Sequence, residues 1–212
     1  MTEPTEPPFG PQAFQQATGA TPAALEDLAA YRELLAAWNE RMNLVGPSAL
    51  DAFWLRHAWD CAQLLSFAPD AVVWADLGTG AGLPGVILAI LLKQRSGATV
   101  HLVESLAKRC RFLEAVAQAL DLPVVIHNQR AESAHLPGIE VVTARACAPM
   151  IKLLGFAEPF LRQGATGLFL KGRDAPAEIE DARRRWRFSA TLTPSLSALD
   201  GNVVKIERLS RV

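Results

Sequence analysis

The sequence predicts an α/β protein: a mostly parallel, seven-stranded sheet with an antiparallel edge, covered by helices and preceded by a helical cap. Three observations predict it. From Ala71 onward, apolar runs of strand length alternate with longer runs at helical spacing, the rhythm of a sheet covered on both faces. The last two apolar runs, near 188–193 and 202–209, are joined by a short connection and read as an antiparallel hairpin. Four glycines, Gly78, Gly80, Gly82 and Gly85, lie between the first strand and first helix of the series, where an open sheet receives its ligand.

Each element follows in order. The chain has 212 residues, 50% hydrophobic and 20% charged, which suits one good core. Residues 1–20 are rich in Pro, Thr and Gln and carry no basic start; they predict an unstructured acidic tail rather than a signal peptide. Thr21 and Pro22 form a helix start, and Leu25, Leu28, Tyr31, Leu35 and Trp38 recur at helical spacing, predicting a helix over 21–38. A second helix is predicted over about 48–65, so that 21–70 forms the cap. The sheet domain, 71–212, then reads as strand 72–78, helix to Lys93, strand 99–104, and a helix with Leu106, Cys110, Leu113, Val116, Ala117 and Leu120 on one side. Strands 123–128 and 139–144, helix 149–161, strand 167–172, helix 176–186 and the hairpin complete it.

Charge is uneven: residues 1–70 hold 9 acids and 3 bases, residues 71–212 hold 13 acids and 18 bases. A polyanionic partner for the second part is compatible with that. No apolar run approaches bilayer length. Cys61, Cys110 and Cys147 lie far apart and match no metal spacing, which predicts a reduced, cytoplasmic setting without a metal.

The glycine turn fits two ligands. Gly80 to Gly85 matches the G-x-G-x-x-G of a dinucleotide fold, and Asp76 to Gly82 matches the turn of an S-adenosylmethionine site. Glu104 ends the next strand and can accept the ribose hydroxyls of either. Three features favour the methyl donor. Asp76 would repel a pyrophosphate but welcomes the ammonium of a methionine tail. Pro84 removes an amide that a pyrophosphate would use. The hairpin edge is the methyltransferase arrangement. A nicotinamide enzyme would also need a Tyr-x-x-x-Lys or paired histidines, and neither is evident in the sequence.

The stretches "LLAAWNERMNLVGP" (34–47), "LRHAWDCAQLL" (55–65), "DLGTGAGLPG" (76–85), "LVESLAKRCRFL" (102–113), "RAES" (130–133), "ARACA" (144–148) and "FLKG" (169–172) occur in order. Together they resemble the RsmG (GidB) family of 16S ribosomal RNA guanine-N7 methyltransferases, from about residue 25 to 208. The resemblance implies a class I methyltransferase (Rossmann-like) fold, S-adenosyl-L-methionine as cofactor, and 16S ribosomal RNA or the small subunit as partner. It implies cofactor contacts at Gly78, Leu83, Ala131, Glu132 and Arg145, beside Gly80 and Glu104 from the turn itself. Cys61 and Cys147 depart from the family's usual residues. A monomer is expected, with no membrane partner; a small-molecule or protein methyltransferase on the same sheet is the alternative.

Guanine N7 presents a lone pair and no proton, so transfer to it needs no general base; no catalytic side chain is assigned. Arg145 is expected to organise the acceptor side, or else to pair with Glu132 or Glu140. Lys171 and Lys108 are candidate RNA contacts, the latter beside Arg109 and Arg111. His57 and Asp60 share a helix face and suggest a fastening or RNA-facing role. Cys147 reads as a packing residue. "RRRWR" (183–187) reads either as a helix end or as a phosphate site with Trp186 stacking on a base.

Overall fold

The structure, a computed structural model, describes residues 9–46 and 49–212. Two helices open the chain, α1 (Pro11–Thr18) and α2 (Pro22–Met42). Thr21 caps α2 by accepting the Ala24 amide at 3.2 Å, with Pro22 at the first helical position. The stretch 53–67 is helical but irregular: a π turn (Phe53–Trp59), α3 (Asp60–Ala62) and a 3₁₀ turn (Gln63–Phe67). The sheet then builds as β1 (Val73–Leu77), α4 (Gly85–Leu92), β2 (Thr99–Glu104), α5 (Ala107–Ala119), β3 (Val124–Asn128), β4 (Val141–Arg145), α6 (Met150–Leu161), β5 (Thr166–Lys171), α7 (Ala175–Ala182), β6 (Trp186–Pro194) and β7 (Asn202–Arg211).

Strand order is β3-β2-β1-β4-β5-β7-β6, parallel except where β7 runs against β5 and β6. Order reverses between β1 and β4, so a crevice opens beyond their carboxyl ends. β1 is buried on both faces, its side chains alternating between the two cores: Trp74 joins the one with α2 and α4, Ala75 and Leu77 the one with α6. One continuous core joins the first face to α1, α2 and 53–67. The other core holds α6, α7 and the hairpin.

The expected tail at 1–20 does not hold where the chain is described. Residues 11–18 form α1, and Phe14 is fully buried, its ring 5.6 Å from that of Trp54. Pro11 opens a helix as readily as it marks a loop, and Phe14 together with Phe9, whose ring lies 5.1 Å from that of Trp59, supplies the anchor. Residues 1–8 lie outside the described residues. Phe14→Ala should cost about 3 kcal/mol, read as a shifted urea midpoint with unchanged slope.

The predicted helix 176–186 also ends early. Arg183 to Arg185 form a turn, and Trp186 begins β6 with its indole buried, donating to the Ile151 carbonyl at 3.1 Å. That indole is not free to stack on a base. Arg183 and Arg184 pair with Glu180 and Asp181 one turn earlier, as on a solvated helix end. No helix among the described residues is long and apolar enough to cross a membrane.

Candidate active site

The site forms where β1, β2 and β4 end. Gly78 and Thr79 donate to the Val103 carbonyl at 2.9 and 3.1 Å, tying the glycine turn to β2. Gly80 has φ +60°, and a Cβ there would meet nothing nearer than 3.9 Å, so its backbone faces open space. Gly82 and Gly85 are glycine for a different reason. A side chain at 82 would press on Val86 and Leu113, and one at 85 would sit 2.9 Å from the Asp76 carboxylate. Half of the glycine signature thus serves packing inside the protein rather than ligand approach. At Gly78 the neighbour is Cys147 Sγ, 2.7 Å from a built Cβ, which is the packing role expected of that cysteine.

Asp76 lies beneath the turn instead of guarding its mouth. It is fully buried; Oδ2 accepts the Gly85 amide at 2.8 Å, while Oδ1 and the nearby Thr79 hydroxyl have no partner. Burial pushes its carboxyl up to about 7, with the Thr79 hydroxyl, close by but outside hydrogen-bond geometry, and then the Gly85 amide pulling the other way. A buried acceptor left empty at this place suits a positively charged donor delivered at the bend. Glu104 is also buried, its two oxygens accepting the amides of Gly80 (3.1 Å) and Leu106 (2.8 Å). Arg109 Nη1 lies 3.6 Å from it, and Asn128 fastens the following turn by donating to the carbonyls of Glu104 and Ser105.

Arg145, at the end of β4, reaches across to the cap. Its guanidinium donates to the Arg56 carbonyl (3.1 Å) and to His57 Nδ1 (2.7 Å), and Nη1 lies 3.3 Å from Asp60. These contacts span 85 to 89 residues of sequence, so no local spacing announced them. The expected alternatives, Glu132 and Glu140, are taken elsewhere: Glu132 pairs with Arg130, and Glu140 accepts the amides of Val72 and Val73. His57 stays neutral because burial, then the adjoining guanidinium, lower it to about 4. Asp60 Oδ1 further accepts Ser195, Ser197 and Gln63.

The family described as GidB, rRNA small subunit methyltransferase G, matches residues 24–206. The chain belongs to the GidB family. It is 62% identical over 199 residues to the ribosomal RNA small subunit methyltransferase G of Caulobacter vibrioides, covering 94% of this chain and 92% of that one. Identity to the protein of the same name from Methylorubrum populi is 47% over 184 residues, 86% and 87% of the two chains. Among solved structures, the O-methyltransferase of Bacillus cereus in complex with SAH superposes with a TM-score of 0.59 at 14% identity, over 93% of this chain and 96% of that one. The magnesium protoporphyrin IX methyltransferase of Synechocystis PCC 6803 does so at 0.56 and 10%, over 84% and 97%. At such identities the likeness is one of fold, the class I methyltransferase sheet.

In this GidB chain the remaining expected site residues are placed unequally. Leu83 is buried in the turn. Ala131 and Glu132 form a short 3₁₀ turn before β4, with Glu132 exposed. Lys108 is exposed at the start of α5. Lys171 does not offer its charge outward: it pairs with Glu178 at 2.6 Å, donates to the Ala148 carbonyl, and its side chain is 10% exposed. Missed in the sequence were Tyr31, whose buried hydroxyl donates to the Ala81 carbonyl at 2.6 Å, and a histidine pair. His101 and His127 meet at 2.9 Å in stacked rings on β2 and β3, within the sheet's outer strands. No group of three or more His, Cys, Asp or Glu among the described residues is arranged to hold a metal ion. A cleft of about 560 Å³ between the α1–α2 junction and the end of α4, lined by Trp59, Lys93 and Leu196, includes none of the glycine-turn residues.

Proposed function

We propose that this chain transfers a methyl group from S-adenosyl-L-methionine to N7 of a guanine in 16S ribosomal RNA. Membership of the GidB family over residues 24–206 carries the reading. The donor set fits the cofactor: the empty Asp76 oxygen suits its ammonium, Glu104 its ribose, and the open backbone at Gly80 its close approach. When bound, the cofactor supplies a sulfonium-activated methyl group open to in-line displacement. The acceptor nitrogen carries no proton, and the side chains at the site are suited to a transfer without a base. Glu104 is held by two amides, Asp76 lies under the turn, and His57 Nδ1 is occupied by Arg145. What remains for the protein is to orient two reactants and exclude water.

The partner in this reading is the small ribosomal subunit or its RNA, met by a monomer in the cytoplasm; three free cysteines agree with a reducing interior. Digesting 16S ribosomal RNA from a strain lacking the protein should reveal one missing 7-methylguanosine, restored by the purified enzyme. Full modification in its absence would end the proposal. Calorimetry should detect S-adenosylhomocysteine and no heat with NAD.

A further inference from the structure

The turn between β6 and β7, at the open end of the sheet, is fastened at several points and displays two leucines. Asn202 pairs with Lys171 at the carboxyl end of β5, so residues 195–201 stand on the same side as the glycine turn. The loop is closed on itself: Ser195 N–H donates to the Gly201 carbonyl (2.8 Å) and Gly201 N–H to that of Ala198 (3.0 Å). It is also clamped to the cap. Ser197 Oγ donates to Asp60 at 2.6 Å, Ser195 Oγ at 3.1 Å, and the Leu196 amide donates to Gln63 at 3.0 Å. The same Asp60 faces Arg145. Yet Leu196 is 68% exposed and Leu199 fully so.

A loop fixed by this many bonds has lost its freedom in advance, which is how binding surfaces reduce the ordering cost of association. Two outward leucines contribute nothing to the core of this protein. We propose that the loop 195–201 contacts the RNA acceptor, with Leu196 and Leu199 packing against exposed nucleobases, and that Asp60 is the positioning residue that fixes this loop relative to Arg145. The inference rests on RNA being the acceptor. Unpaired bases present apolar faces, and RNA recognition relies on such splayed bases. Charge agrees: Arg173, exposed and only loosely paired with Asp200 of the loop at 3.4 Å, offers a cation beside the loop for phosphate. A ribosomal protein as the covering partner is the competing outcome.

The test is the double variant Leu196→Ala, Leu199→Ala, assayed on small-subunit particles from a strain lacking the modification. The KM for particles should rise about tenfold, with kcat and S-adenosylhomocysteine affinity unchanged; an unchanged KM overturns the inference. Asp60→Asn should raise the same KM and increase amide exchange across 195–201, and protection equal to wild type overturns its positioning role. A benzophenone side chain placed at Leu199 should cross-link to 16S RNA in the particle; cross-links to protein alone assign the loop to a protein contact instead. Cross-linking reads the loop without turnover, so a wild-type enzyme that methylates no ribosomal RNA would sink the proposed reaction by a separate result.

Discussion

Asp76→Asn should lower the affinity for S-adenosylhomocysteine about 30-fold, the worth of one charged hydrogen bond of about 2 kcal/mol, without lowering the melting temperature at pH 8. The amide keeps an oxygen for Gly85 and removes a charge that burial disfavours. The pH dependence has a definite sign. With the folded carboxyl raised to about 7, the free protein holds a proton that the unfolded chain gives up in the usual carboxylate range. This contribution to stability is therefore full at low pH and lost as pH climbs toward 7. His57 runs oppositely: its folded value of about 4 makes its contribution full above the usual histidine range and lost on acidification toward 4. The two oppose each other in the wild type, while His101 and His127, also held below the usual histidine range by burial, act in the same direction as His57. In Asp76→Asn the opposing carboxyl is gone, and stability should rise more steeply with pH between 4 and 6.5 than in the wild type, as read by thermal melts. Calorimetric affinity for S-adenosylhomocysteine should climb up to pH 7 in the wild type and be flat in the variant. A variant that binds as tightly as wild type would remove Asp76 from the ligand account.

Arg145→Ala should cost about 3 kcal/mol of stability, because it leaves the Arg56 carbonyl, His57 and one oxygen of Asp60 short of a donor in a mostly buried place. Methyl transfer should fall about 100-fold, the scale of an ångström-sized misplacement. Arg145→Lys should recover part of the stability but not the fork, since an ammonium cannot serve His57 and Asp60 in one plane. Denaturant melts and single-turnover rates read the two losses separately. Intact stability in the alanine variant would contradict the strut described above.

Much of the sheet was legible because its signals are local. The strand predicted at 99–104 is found at Thr99–Glu104, and the helix at 149–161 at Met150–Leu161, since apolar alternation and helical spacing act within a few residues. The cap's second helix was misread as regular because a π turn and a 3₁₀ turn keep an apolar face without a 3.6 period. α1 was missed because proline and threonine composition outweighed two aromatics, Phe9 and Phe14, that fasten it to Trp59 and Trp54. In the site, the glycine spacing located the turn but not which glycines face a ligand; that depends on Val86, Leu113 and Leu102 arriving behind them. Arg145 was singled out, yet its partners lie across the chain, and Asp60 meets Ser197 over 137 residues. Contacts of that range are set by topology rather than by spacing.

The tyrosine hydroxyl on the Ala81 carbonyl bears on modularity. Tyr31 belongs to the leading helices and Ala81 to the bend between Gly80 and Gly82, so the front segment forms a wall packed against the bend. A fragment starting at residue 71 would bare that wall's apolar imprint and let the bend relax. Grafting the leading helices of a distant homologue onto this sheet would exchange the support of that bend along with them.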